Sequence, residues 1–363
     1  MQEPRVISTT CVLELPPTAD VPRCGEGDFS LLAGGGVLYV CGVSARGDGL
    51  KRDGLRFYYS ENGGAAFSPL ESPFTDTAAR RQPTLLSGPD GGLLLLCTED
   101  GAFVSYRLSF DGDTLSAGGK RVCIPEKKGT AYTVENGAVT RLTNGSILIP
   151  AAKYPARRFA AAAPIDAPAG RICFYKGNET GTSFAETAGS VAFGRLGHSG
   201  GLTAPGVVEL PDGRLCVYFA TGRHFQYVSF SFNGGKSWSA PVPSAFSSPV
   251  SPMRIRRDPF TGIFWAVYNP VPLLNTRCER QRRFITGGRT PLALAYSSDG
   301  VNFSDPVLIE TDPVHGFTSP AFCFPAADTM LLSVSCGGVE DGDCRNRSRL
   351  RLLQLERCGV PED

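Results

Sequence analysis

The chain predicts an all-β fold, a six-bladed β-propeller. Three observations carry that prediction: a repeated aspartate-type turn, a repeated apolar hairpin, and no helical periodicity over any comparable length. The turn reads "SENGGAAF" from Ser60, "SFDGDTL" from Ser109, "SFNGGKSW" from Ser231 and "SSDGVNF" from Ser297, with a worn copy, "YKGNETGTSF", from Tyr175. Spaced at intervals of about 50 to 65 residues, these copies mark a structural unit and not a site. Asp or Asn accepts bonds from the amides of its own turn, Gly takes the positive φ, and the closing aromatic packs back onto the sheet. Asn233, Gly234, Gly235 and Trp238 are therefore expected to staple a hairpin and touch no ligand.

The hairpins follow in chain order: "LLAGGGVLYVC", "LLSGPDGGLLLLC", "RLTNGSILIPA", "ELPDGRLCVYF", "RRDPFTGIFWAVY" and "CFPAADTMLLSVS". Each is an apolar strand, a turn built on Gly, Asn, Asp or Pro, and a second apolar strand. Six such hairpins, each followed by an outer pair, make six four-stranded sheets in a radial array that leaves no long exposed edge. The blades are expected near residues 24–70, 80–121, 132–190, 200–243, 249–310 and 315–357 of a single domain covering 1–363. "VISTTCVLEL", near the start, is a strand without a hairpin partner and is expected to close the ring against the last blade. The longest irregular stretches, "AAKYPARRFAAAAPIDAPAG" and "NPVPLLNTRCERQRRFITGGRT", fall as insertions in blades 3 and 5, and long loops on a rigid scaffold are where function concentrates.

Composition excludes several classes. Lys and Arg number 36 against 35 Asp and Glu, a net charge of +1, so no global field draws nucleic acid or a membrane surface. No apolar run approaches the roughly 18 residues of a membrane span, and "MQEPRVISTT" is no signal peptide, so a soluble cytoplasmic protein is expected. The 12 cysteines are scattered without a CxxC pair, the pattern of buried reduced thiols. The 3 histidines, His198, His224 and His315, lack metal-ligand spacing, and phosphate-binding glycine motifs are absent, so no metal and no cofactor are expected. "RCERQRRF" is short and lacks interleaved aromatics, which makes it a solvated loop and not a nucleic-acid patch. Trp265 in "IFWAVY" is a core residue. Nothing in the sequence signals an oligomeric state.

The SxDxGxxW-type repeat, the six-blade count and the stretch "GVVELPDGRLCVYFATGRHFQYVSFSFNGGKSW" together resemble the sialidase (neuraminidase) superfamily, over roughly residues 23–355. That resemblance implies a carboxylate clamp of three arginines, a tyrosine nucleophile activated by a glutamate, and an aspartate acid/base, the exception to the two-carboxylate rule for glycosidases. Residue by residue, Arg289 in "GGRTPLALAYSSDG" matches the third clamp arginine. Arg23 in "PRCGEGDF" matches the first. The second belongs near Ala220, whereas the chain offers Arg223. The glutamate position reads Ala204 in "LTAPGVVEL", and the tyrosine position reads Ser319 or Thr318 in "HGFTSPAF". Alanine neither takes nor holds a proton, so tyrosine-based chemistry is not expected to run here. Asp48 and Asp53, in "CGVSARGDGLKRDG", are expected on a loop where the family's acid/base aspartate falls.

The starts of the six inner strands are expected to line one mouth of the central channel. They supply Arg23, Glu26, Asp28, Arg81, Gln82, Glu135, Asn136, Ser251, Arg254 and Ser319. A mouth bearing arginines and carboxylates suits a small hydroxylated anion, although strand-start polar groups also serve neighbouring backbone. The expected function is a carbohydrate-active protein, a glycoside hydrolase on a small glycan or acidic sugar with altered catalytic residues. Asp48, Asp53 and Glu135 are the catalytic candidates. Arg23, Glu26, Arg81, Gln82, Asn136, Arg223, Arg289 and Ser319 are the binding candidates. The rival reading is a sugar-binding propeller that has lost the chemistry.

Overall fold

The computed structural model describes residues 5–47, 50–88, 91–156, 170–193, 202–270, 288–341 and 348–358. Six antiparallel sheets, each a meander, follow one another along the chain. Blade 1 runs through Arg23–Leu31, Val37–Gly47, Leu50–Ser60 and Ser68–Leu70, and blade 2 through Arg80–Ser87, Leu93–Glu99, Ala102–Phe110 and Leu115–Ile124. Blade 4 is Thr203–Glu209, Leu215–Ala220, Phe225–Ser231 and Val242–Ser247, and blade 5 is Arg254–Arg257, Phe264–Tyr268, Leu292–Ser297 and Val307–Glu310. Blade 6 takes Gly316–Ala326, Thr329–Gly337 and Arg349–Cys358 from the end of the chain, and its fourth strand, Arg5–Leu15, from the beginning. The lone strand of the sequence closes the ring as expected, with Thr9 opposite Leu355.

Blade 3 is the irregular one. Its first strand is split into Thr130–Thr133 and Thr140–Arg141, both paired to Ile147–Pro155, and the break falls on Glu135–Asn136–Gly137. Arg171–Gly177 and Phe184–Val191 complete the sheet.

Apolar faces pack between neighbouring blades all round the ring. Leu38, Phe57, Leu85 and Leu95 join blades 1 and 2; Leu148, Phe174, Val217 and Phe219 join blades 3 and 4; Trp265, Phe317 and Leu353 join blades 5 and 6. Each buried side chain of this size contributes about 1.5–3 kcal/mol relative to exposure. Trp265 is thus core, as the sequence indicated.

The repeated turns act as staples. Ser231 Oγ accepts the Gly235 amide at 2.9 Å, Asn233 Oδ1 accepts the Ser237 amide at 2.9 Å, and Gly235 takes φ 89°. Asp299 repeats the pattern in blade 5, accepting the amides of Val301 and Asn302 at 2.8 Å. Trp238 crosses to the next blade and stacks on Phe174 with centroids 4.2 Å apart. The motif therefore ties blade 4 to blade 3.

Meander topology sorts the connections. The first strands ring the axis and start at one face, which also carries the turns between second and third strands. The repeated turns lie on the other face, with the turns that end the first strands. Among the described residues eight cysteines are buried and Cys11 is exposed, and no helix is long and apolar enough to cross a membrane.

Candidate functional site

Where the first strands begin, their backbone departs from regular sheet. Glu26, Gln82, Ala204 and Ser319 have φ of 59°, 54°, 51° and 50°, each at a register shift of blades 1, 2, 4 and 6. Left-handed backbone costs a non-glycine residue roughly 1–2 kcal/mol, and such strain gathers where a side chain must be re-aimed at a site. The two positions that the sequence comparison matched to the nucleophilic pair, Ala204 and Ser319, thus occupy the same structural point as two binding candidates.

Behind this ring the axis is filled in layers. Glu135 comes first. It is 6% exposed, its Oε2 has no hydrogen-bond partner, and the charges of Arg254 and Arg289 act on it. Burial pushes its pKa above the usual carboxylate value, and the two arginines only partly oppose that. Ser251 and Thr318 share a bond of 3.3 Å between blades 5 and 6, and the Oγ of fully buried Ser319 is unpartnered. Asn136 forms the next layer: its Nδ2 donates to Gly27 O at 2.8 Å and Ser319 O at 3.3 Å, and its carbonyl accepts from Arg254 Nη2 at 2.5 Å. One residue bridges four blades. Below it, Asp28 accepts from Arg256 Nη2 at 2.7 Å and from the Leu85 amide at 3.0 Å. Gly137 lies against this pair with φ 60°, and a Cβ there would sit 3.0 Å from both partners.

Arg254 is 2% exposed, and its Nε and Nη1 have no protein acceptor. Polar groups buried without partners are costly, and Glu135 Oε2, Ser319 Oγ and Asn136 Oδ1 are three such groups near the axis.

The other candidates spread around the mouth. Arg289 is half-buried in the blade 5 connection, which is pinned through the Arg289 carbonyl by Asn269 Nδ2 at 3.0 Å and the Phe317 amide at 2.8 Å. Arg223 occupies the turn after the second strand of blade 4, its guanidinium 4.5 Å from the Phe193 ring centre. Arg23 is exposed at its strand start. Arg81 is 58% exposed and pairs with Asp53 at 3.4 Å. The Glu26 amide donates to Ser335 Oγ at 2.8 Å, and Gln82 Oε1 accepts from Thr98 at 3.3 Å.

Asp53 corrects the sequence reading. It lies on no loop but within the third strand of blade 1, opposite Ser44, whose Oγ donates to it at 2.5 Å. The hairpin runs on in regular register through "SARG" and "LKRDG", because two extended strands satisfy the backbone that a loop would leave open. Asp48 and His198 lie outside the described residues, as does "RCERQRRF". Among described residues no group of three His, Cys, Asp or Glu side chains is arranged to hold a metal.

Tyr154 lies close enough to Glu135 for their charges to interact, yet it is no activated nucleophile. Its hydroxyl donates to Leu202 O at 2.5 Å, and burial pushes its pKa up to about 12.

Sequence reasoning placed Arg254 at the mouth without naming it among the binding candidates, and missed Arg256. The signal was present in "RIR": period-two alternation puts both arginines on one side of the strand, with Ile255 on the other.

These features define a six-bladed propeller of the sialidase type. The chain belongs to the family of BNR repeat-like domains, whose pattern matches residues 75–330. No curated protein sequence matches it. In three dimensions it is similar to a protein of unknown function from Dyadobacter fermentans (TM-score 0.69, 14% identity, 97% of this chain and 99% of that one). It is similar to Trypanosoma rangeli sialidase at TM-score 0.63 and 13% identity over 92% of this chain, but spans only 55% of that one. An α-L-arabinanase from Penicillium chrysogenum, complexed with arabinobiose, aligns at TM-score 0.64 and 14% identity over 97% and 98% of the two chains. At such identities the likeness is one of fold.

Proposed function

We propose that this protein is a glycoside hydrolase acting on a small acidic glycan at the mouth where the first strands begin. The observation that carries the reading is Glu135, a buried carboxyl whose pKa is raised by desolvation and which faces two arginine charges. A glycosidase acid needs that property, since it must hold its proton near neutral pH. In this scheme Glu135 donates a proton to the glycosidic oxygen, the C–O bond breaks and the leaving group departs as an alcohol. Water adds to the anomeric carbon and returns its proton to the Glu135 carboxylate. Arg289 binds the acidic group of the sugar, a task its planar fork suits. Ser319 and Asn136 offer hydrogen-bonding atoms beside it.

A second reading, binding without turnover, is favoured by Ala204 and Ser319 at the positions of the nucleophilic pair. Both readings exclude a tyrosyl intermediate, so a fluorogenic sialic acid glycoside is expected to show no turnover above background.

The test is a panel of uronic acid, sialic acid and neutral glycosides, read for product and for thermal shift. With the acidic sugar found, Arg289→Lys is expected to weaken binding roughly tenfold or more, and Arg289→Ala further, without unfolding. Unchanged affinity in Arg289→Ala would remove the anion contact from the scheme. A ligand that stabilises the protein and is never turned over selects the second reading.

A further inference from the structure

The opposite end of the axis holds a cavity of about 400 Å³. It lies where the first strands of blades 2 to 5 end, on the face of the repeated turns. Asn136 and the Asp28–Arg256 pair stand between it and Glu135. Leu85, Val139, Val207 and Ile255 form apolar walls, and Arg254 and Arg256 are the cations of its lining nearest the axis.

Three features make this a built site and not a gap in packing. Its volume falls in the range of small-molecule pockets, about 300–1,000 Å³. Arg256 is 26% exposed and spends Nη2 on Asp28, and among the described residues no other acceptor takes a hydrogen bond from its guanidinium. Arg254 is buried with two unpartnered nitrogens. Asp28 offsets one of these two cations, and of the charged side chains lining the cavity Arg141, Arg254, Arg256 and Arg257 stand against the single carboxylate of Glu209. The lining therefore keeps a net positive charge against apolar walls. A monoanion with an apolar body matches that combination, whereas a phosphate lacks the body and demands more donors.

We propose that this second mouth binds a small organic monocarboxylate, its head on the Arg256 guanidinium and its body against Leu85, Val139 and Val207.

The test is methyl NMR on full-length protein labelled at Ile, Leu and Val, titrated with 4-fluorobenzoate and with neutral 4-fluorobenzyl alcohol. The carboxylate is expected to shift the methyls of Leu85, Val139, Val207 and Ile255 saturably, with a Kd on the order of 1 mM or tighter. The alcohol is expected to bind at least about tenfold more weakly. Asp28→Asn combined with Arg256→Gln exchanges the ion pair for an amide pair and is expected to cost the carboxylate about tenfold as well. Should that variant fail to fold, Thr140→Phe, at a half-buried position of the lining, is expected to block binding while leaving the methyl spectrum dispersed. Absence of saturable shifts up to tens of millimolar, equal affinity for the alcohol, shifts at Leu202 instead, or undiminished binding in a folded variant would each overturn the proposal.

Discussion

Arg357→Met tests how the ring is locked. Arg357 and Asp258 form an ion pair of 2.8 Å, with side chains 2% and 0% exposed. Arg357 also donates to Ala327 O at 2.9 Å, and its guanidinium lies 4.6 Å from the Phe324 ring centre. Asp258 is otherwise held by the Phe260 amide at 2.9 Å and Thr261 Oγ1 at 2.8 Å. The pair thus joins the third strand of blade 6 to the first hairpin of blade 5. Methionine refills most of the volume but leaves a buried carboxylate without its cation, a change that costs about 3–5 kcal/mol. With an m-value of roughly 3 kcal/mol per molar urea, the midpoint is expected to fall by roughly 1 M or more. Adding Asp258→Asn removes the orphaned charge and is expected to recover at least about 1 kcal/mol, because the two sites are coupled. Urea unfolding followed by tryptophan fluorescence and circular dichroism reads both variants. A loss below about 1 kcal/mol for Arg357→Met, or strict additivity in the double variant, would refute the lock.

Trp238→Ala and Asn233→Ala are each expected to cost roughly 1–4 kcal/mol by thermal or urea unfolding, through the lost stack on Phe174 and the lost turn bond, with ligand affinity at the mouth unchanged. Glu135→Gln is expected to change stability in a pH-dependent way. A carboxyl whose folded pKa is raised contributes fully below its unfolded value near 4.5 and loses that contribution as pH rises through the folded one, so the variant gains on wild type as pH rises above about 4.5 in paired melting curves. His315 behaves likewise for a different reason. Burial draws its pKa down, but hydrogen bonds to Glu340 and Asp312, each of 2.7 Å, outweigh that and raise it. Stability from this cluster is present below the ordinary histidine value and lost as pH rises through the folded one, and His315→Gln is expected to flatten the fall in melting temperature between pH 6 and pH 8.5.

The propeller was legible because it repeats. Hairpin and turn signals are local, each carried within about ten residues, and they placed the blades and the closing strand to within a few positions. The axis was legible only as a list of residues, because its contacts join distant parts of the chain. Asp28 and Arg256 are 228 positions apart, and Asn136 and Ser319 are 183. No local pattern reports such pairs. Glu135 and Asn136 were picked out as strand-start residues, yet the break they make in blade 3 is a property of the assembled axis, where Asn136 must turn inward to bridge four blades. Asp53 went astray for a local reason: glycines in "ARGDGLKRDG" suggest a loop, while strand pairing draws Gly47 and Gly54 into a long hairpin.

Glu135 is the proposed proton donor at a mouth that binds an acidic sugar. The direct measurement is single-turnover product release by wild type and Glu135→Gln on whichever acidic glycoside of the panel is hydrolysed, with affinity measured alongside. Glutamine keeps the shape of the side chain and cannot donate as an acid, so the rate is expected to fall at least about 100-fold with affinity changed by less than about threefold. A Glu135→Gln protein that releases product at the wild-type rate would contradict it.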